Sequence, residues 1–498
     1  MSLASAARIA QSGLTTATSE IAVSARNISG ANSTSFFSQK IANVFPVGSG
    51  TSQTVTVTNA QNQAVFNNVL SATASSATQT ALANGLTQLN NTIGSVASSS
   101  TSQSSPAALL SNFQDALQSL EASPSDSSLA NAAVTAASQL TGGLNSASAT
   151  VQQVRQQADA GMASSVQTIN GLLAQFQTAN TEVVQGTATG ADVTNAEDTR
   201  DGLLTQLAQQ IGITTNTGAN GDMSIYTDSG ATLFQGTARS VTFAPTSTYT
   251  AGTTGNAVYV DGVAVTGSSA TMPIGSGALA GLATLRDDTT VTYQSQLDAM
   301  AGSLVSTFAE SDQSGGGGPN LPGLFTTAGA TALPTSTTGL ASQITVNASV
   351  DPSQGGNAML LRDGGISDTA NSNYTYNTSG EASYSGRLSQ LVSAMSQTQS
   401  FSAAGGIATS ATLSDYASDS VSWLEGQRST VSSQSDYQSS LLSTATTALS
   451  SATGVNLDDE MSKMLDLENS YSASAKLLST INTVFDTFVT DIGQIPVP

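Results

Sequence analysis

Both ends of this chain carry the same kind of seam. Near the N-terminus Leu3, Ala7, Ala10, Leu14, Ala17, Ile21, Ser24 and Ile28 recur in alternating steps of four and three. Near the C-terminus Met464, Leu467, Tyr471, Ser474, Leu478, Ile481, Phe485 and Phe488 do the same. An average step of 3.5 puts each set on one stripe of a helix that requires a helical partner to cover it. The first stripe is slim, built largely of alanine, and the second is bulky, so the two complement each other. Pairing them requires a chain that runs out and comes back. The competing reading is two separate amphipathic helices, each lying on a core.

The stretch between the seams is helical, then β-rich, then helical again. "SQTVTVTNAQNQAVF" holds a brief strand-like alternation, and residues 67–97 read as helix with Ser/Thr-rich breaks. Pro106 after Ser104 and Ser105 marks a helix start; Leu109, Phe113, Leu117 and Leu120 form its face, and "SPSD" ends it at 123–126. From about Ser127 to Val184 one long amphipathic stretch predicts a rod of about 85 Å, with Leu140, Leu144, Val151, Val154, Met162, Ile169, Leu173 and Phe176 near one face and a bend expected at Gly142-Gly143. A shorter helix follows in "RDGLLTQLAQQIGI". At 213 the period changes to two, and 213–277 reads as strands and hairpins, with Asp261-Gly262 as a turn. Helix returns over 278–310, "SDQSGGGGPNLPG" at 311–323 reads as a loop, 324–384 as a small β excursion, and helices resume at 385–400 and about 412–453.

The fold class expected is therefore mainly α with β-rich insertions, α+β, in an elongated multidomain chain. Residues 1–40 plus 455–498 form a terminal coiled-coil domain. Residues 41–310 plus 385–454 form an elongated helical domain with its β-rich insert at about 213–277. Residues 311–384 form a small outer excursion.

Composition narrows function more than fold. Lys plus Arg is 12 against 33 for Asp plus Glu, a net charge of −21, too few cations to neutralise phosphates, so no nucleic acid is expected. Anionic membrane surfaces are disfavoured for the same reason, and no run of 18 apolar residues predicts a span. The chain has no cysteine and no histidine, which excludes disulfides, Cys- or His-based zinc sites and imidazole-dependent nucleophilic catalysis. No cofactor and no metal is expected. The first residues lack a basic start, an apolar core and a cleavage site, so the protein either stays inside or leaves by a route that cuts no leader.

The carboxylates that remain have structural explanations. In "NAEDTRDG", Glu197, Asp198 and Asp201 suggest a cation site, but Asn195 and Asp198 also read as cap and turn residues before a helix opened by Gly202, with Arg200 pairing locally. Asp458, Asp459 and Glu460 lie at a helix start, where acids complement the helix dipole. "SGGGGP" has no Gly-Lys-Ser/Thr after it and is no phosphate loop. Trp423, the only tryptophan, reads as packing.

With the termini in hand, the chain resembles the bacterial flagellar axial proteins. "GVNLDDEMSKMLDLENSYSASAKLLSTINTVFDTF" is similar to their shared C-terminal motif through Gly454, Val455, Asn456, Leu457, Asp458, Asp459, Glu460, Tyr471, Ala475, Ile481 and Phe485. "SGLTTATSEIAVSARNISGANSTSFFSQK" resembles their N-terminal signature through Ser12, Gly13, Leu14, Asn27, Ile28, Ser29, Ala31 and Asn32. Arg26 replaces the first of the usual two asparagines, and "STSFFSQK" departs from the usual end. Within these proteins "NAEDTRDGLLTQLAQQIGI" resembles the hook-associated protein 1 family through Arg200, Asp201, Leu204, Leu207, Ile211 and Gly212. "SGALAGLATLRDDTTVTYQSQLDAMAGSLVSTFAE" resembles it through Arg286, Asp287, Leu297, Asp298, Leu304 and Phe308.

The resemblance implies a structural part of the flagellum, not an enzyme. It implies uncleaved export by the flagellar type III system, a flagellar export chaperone, and self-assembly into a ring or helical zone at the distal hook end. It implies contact with hook protein and with the second hook-associated junction protein, outside the cell at the hook–filament junction. The residues expected at the assembly interface are Leu3, Leu14, Ile21, Ile28, Met464, Leu467, Tyr471, Leu478, Ile481, Phe485 and Phe488; stripes a lone subunit cannot bury are expected to order on assembly. The alternatives are a flagellin-like filament subunit or the second junction protein, against which "TRDGLL" and "TLRDD" speak. More remote is a carboxylate-dependent glycosidase, for which no acid pair at suitable spacing exists.

Overall fold

The computed structural model describes residues 2–31, 37–47, 52–92 and 105–493. The helices are α1 (Leu3–Gly30), α2 (Gln63–Asn90), α3 (Pro106–Ala122), α4 (Ser127–Thr189), α5 (Thr194–Gln210), α6 (Ala278–Thr284), α7 (Thr290–Thr307), α8 (Leu360–Asp363), α9 (Gly386–Met395), α10 (Leu413–Thr453) and α11 (Leu457–Gly493). The strands that matter here are an antiparallel hairpin of β1 (Lys40–Val47) and β2 (Ser52–Asn59); a sheet of β3 (Ile213–Thr217), β4 (Met223–Thr227), β5 (Thr232–Gln235) and β6 (Thr237–Ala238) in that order; and a sheet of β7 (Val241–Thr242), β8 (Tyr259–Val260) and β9 (Val263–Ala264). A last antiparallel pair joins β10 (Phe325–Thr327) and β11 (Ile344–Val346). The mainly helical α+β class read from the sequence is the one observed.

The backbone of the molecule is α4, 63 residues and about 95 Å long. Asp126 caps its start, accepting from the backbone N–H of Ser128 at 2.8 Å, and Gly190 ends it in the left-handed conformation at φ 72. The bend expected at Gly142-Gly143 does not occur: helix runs through both. Leu140 and Leu144, flanking the pair, are buried, and holding that continuous buried stripe outweighs the ~1 kcal/mol helix cost of each glycine. The accessible surface is 23171 Å², against about 17,000 Å² for a compact monomer of this mass. The chain is elongated.

Two apolar clusters lie along α4. One joins its first half to α3, α7, α9 and the start of α10, with Phe113, Phe308 and Phe325 in mutual contact at centroid distances of 5.1–5.4 Å. Leu324, Ile344, Val346 and Leu361 belong to the same cluster, so the 324–384 segment packs on the helical core. The other joins the second half of α4 to α2, α5 and the β-rich insert. Asp261 and Gly262, at φ 49 and 83, make the tight turn between β8 and β9.

The insert is pinned to the helices by buried polar groups. A single π-helical turn, Leu285–Thr289, links α6 to α7 and carries Arg286. Its guanidinium donates to Asp159 of α4 at 2.6 Å, to Asn256 O at 2.8 Å and to Asp287 at 2.7 and 2.8 Å. Arg155 lies over the Tyr249 ring and donates to Thr250 O at 3.0 Å. The family-like Arg286-Asp287 pair is thus a loop anchor.

Candidate assembly interface

The first and last helices pack antiparallel. Gly13 of α1 faces Ser474 of α11, where an added Cβ would lie 3.2 Å from the Ser474 hydroxyl, and Ser24 of α1 meets Glu460 of α11. Glycine there lets the two backbones approach closely.

The seam residues do not all have the same surroundings. Ile481 is buried at 6% exposure, and Leu14, Ile21, Ile28, Met464, Leu467 and Leu478 are half-buried. Leu3, Tyr471, Phe485 and Phe488 are exposed, Phe488 at 61%. For the two phenylalanines the antiparallel register explains this: stepping back from Gly13 opposite Ser474, Leu3 falls level with about residue 484, so Phe485 and Phe488 extend past the start of α1. Sequence periodicity missed a second set. Met461, Leu465, Leu477, Val484 and Val489 of α11 are exposed although α1 covers the neighbouring face. Summing the exposed apolar positions around the helix, rather than searching for one stripe, would have found them.

At the root of the helix pair lies a relay of buried polar groups. Glu460, 2% exposed, accepts from the Ser24 hydroxyl, from Asn27 Nδ2 at 2.8 Å and from Gln39 Nε2 at 2.9 Å. Burial works to raise its carboxyl, but these donors outweigh it and hold the group below its ordinary value. Asn27, fully buried, also donates to Lys40 O at 2.9 Å and accepts from Lys40 N at 2.7 Å. Lys40, its side chain fully buried, forms an ion pair with Asp198 of α5 and donates to Asn59 Oδ1 at 2.7 Å. A buried ammonium is tolerable only with such partners. The helix-start position of Glu460 is as expected; its burial against α1 is not visible in a helical pattern.

Three expectations around α5 are corrected. The helix begins at Thr194, so Asn195 and Asp198 are not cap and turn residues and Gly202 opens nothing; all three lie inside it. Asp192 supplies the first-turn contact, accepting from Thr194 N at 3.1 Å and Thr194 Oγ1 at 2.7 Å. The earlier start places Asp198 on the inner face, toward Lys40. Arg200 pairs with no neighbouring carboxylate, and donates instead to Gly221 O at 2.7 Å and Asn180 Oδ1 at 3.4 Å. Glu197 accepts from Asn59 Nδ2 at 3.0 Å. Burial raises the Glu197 carboxyl, and raises that of Asp201 to about 7. Arg26, the departure from the family signature, pairs with Asp192 at 2.8 Å. Asn32 and residues 33–36 of the signature, Ser104, and the 93–97 end of the second predicted helix lie outside the described residues.

Among the described residues no group of three or more Asp, Glu, His or Cys is placed to hold a metal ion, and no helix is long and apolar enough to cross a membrane. Trp423 is half-buried against the core, as packing.

Comparison with known proteins agrees with this geometry. Residues 86–323, from the end of α2 through α7, match the family model of the flagellar hook-associated protein FlgK helical domain. Residues 448–492, which cover nearly all of α11, match the flagellar basal body rod FlgEFG protein C-terminal family. A search of curated proteins gives no match. A similar solved structure is the flagellar hook junction protein FlgK from Burkholderia pseudomallei, at 21% identity and a TM-score of 0.41 over 53% of this chain and 47% of that one. This chain therefore spans about half the length of that relative. The helical body over 86–323 is thus similar to the FlgK helical domain, and the terminal helix over 448–492 to the FlgEFG C-terminal family.

Proposed function

We propose that this chain is a subunit of the hook–filament junction, the hook-associated protein 1 of its flagellum. It leaves the cell through the flagellar type III apparatus with its N-terminus uncleaved, held until then by an export chaperone. It assembles with copies of itself on the distal end of the hook, as a ring or short helical zone. Hook protein lies below it, the second junction protein above, and it catalyses no reaction.

The observation that carries this reading is the exposed apolar surface of α11. After α1 has covered one face, Met461, Leu465, Leu477, Val484, Phe485, Phe488 and Val489 still face solvent. Large apolar side chains exposed in such number on one helix mark a protein interface, and neighbouring subunits are the surface that would cover them. Phe485 and Phe488 are the proposed anchors because they are the largest of these groups. The remaining seam residues, Leu3, Leu14, Ile21, Ile28, Met464, Leu467, Tyr471, Leu478 and Ile481, shape the helix pair that presents them.

Deletion of the gene tests the reading. Cells without the protein should keep their hooks and shed filament subunit into the medium, and the intact gene should restore attached filaments. Phe485→Ser with Phe488→Ser should be exported yet fail to restore them. Filaments still attached to the hook in the deletion strain would overturn the assignment.

A further inference from the structure

Among the described residues, neither apolar cluster contains a residue from 2–59 or 450–493. The terminal unit, consisting of α1, the β1–β2 hairpin and α11, therefore sits on the body without sharing its core. What joins the two is polar. Lys40 pairs with Asp198, Asn59 donates to Thr194 O at 3.0 Å and to Asp198 at 3.2 Å, Ser38 N donates to Asp198 at 3.3 Å, and Arg26 pairs with Asp192. All of these contacts fall on α5 and the turn that precedes it.

The chain passes between the two units at only two described places, 60–62 and 454–456, and they are neighbours. Ala60 N donates to Gln39 O at 2.8 Å, and Gln39 N donates to Thr453 O at 2.8 Å. Beside them is a cavity of about 120 Å³ lined by polar side chains, among them Ser38, Glu197, Arg200 and Asp201, and on the body side also by Phe66 and Leu449. Arg200 is 4% exposed, and its Nε has no partner. The joint is thus narrow and incompletely filled, and the contacts that cross it are polar.

An apolar interface resists rotation because displacement exposes surface to water. A few directional polar contacts around a void do not, since their groups regain hydrogen bonds to water once parted. We infer that this joint is a hinge: the terminal unit turns as a rigid body about the adjacent crossings at 60–62 and 454–456, and the Lys40–Asp198 pair is the catch that holds the position described here. The Glu460–Asn27–Lys40 relay keeps the unit itself together while it turns. The inference does not depend on the proposed place in the flagellum.

The chain contains no cysteine, so introduced pairs can be spin-labelled without background. Gln206→Cys with Ser472→Cys spans the joint, and Thr18→Cys with Ser472→Cys lies within the terminal unit; all three positions are exposed. Distances are read by double electron–electron resonance on the full chain. Lys40→Met should broaden or shift the spanning distance at least twofold in width and leave the internal one unchanged. Asp198→Asn, which keeps the shape and some hydrogen bonds, should do the same to a smaller extent and covers the case in which Lys40→Met does not fold. A spanning distance as narrow in both variants as in the parent would overturn the hinge. So would broadening of both distances together, because the unit would then be coming apart and not turning.

Discussion

Replacing Glu460 by Gln tests whether the buried relay, and not the apolar seam alone, holds α1 to α11. The carboxylate accepts three hydrogen bonds, from Ser24, Asn27 and Gln39, at 2% exposure. An amide of the same shape can accept at one atom only, and its NH2 meets at least one of these donors head-on. Hydrogen bonds to a charged group contribute about 1.5–3 kcal/mol each. The Ser24 hydroxyl can rotate to accept, so losing roughly one such bond, about 2 kcal/mol, is the expected net cost. At 1.36 kcal/mol per tenfold, that is about a thirtyfold loss of protection in amide hydrogen exchange at residues 16–28 of α1, with the α4 core unchanged. Because the folded carboxyl lies below its ordinary value, its contribution is fully present above the unfolded pKa of about 4.3. It is lost as pH falls through the folded value. The difference between Glu460→Gln and the parent should therefore be full at pH 7 and shrink on acidification. Unchanged protection in α1 at pH 7, or a difference independent of pH, would refute the reasoning.

Asp201→Asn should raise the melting temperature at pH 8 and have little effect at pH 4: a carboxyl raised to about 7 by burial lowers stability as pH climbs from its unfolded value to its folded one, and Asn removes that dependence. Differential scanning calorimetry at the two pH values checks it, and an equal effect at both would count against it. Phe113→Ala empties the centre of the Phe113–Phe308–Phe325 contact and should cost about 3–5 kcal/mol, seen as a lower denaturant midpoint for the α3–α7 half while the β-rich insert keeps its own transition.

How much of the molecule was legible depended on how local the signal was. The α4 rod, the Ser105-Pro106 start of α3 and the Asp261-Gly262 turn all rest on spacing or on residues a few positions apart, and each was found where the sequence put it. Errors arose where the partner is distant. Asn195, Asp198 and Gly202 look like the approach to a helix, and only the docking of Lys40 and Asn59, 135 to 158 residues away, explains why Asp198 is inside one. Gly142-Gly143 looks like a bend, and only the buried stripe on either side keeps it straight.

The sequence by itself determined that the two termini form complementary helices, that the middle is helical with a β-rich insert, and that imidazole and thiol chemistry are absent. Those properties follow from residue type and periodicity, which any stretch of chain carries with it. The tertiary structure alone decided that Phe485 and Phe488 overhang the seam, that further apolar side chains of α11 stay exposed, and that the terminal unit is joined to the body through Lys40, Asp198 and Asn59. Register, burial and ion pairing depend on which residues meet in space, and a buried charge is recognisable only once the group that neutralises it has been placed beside it.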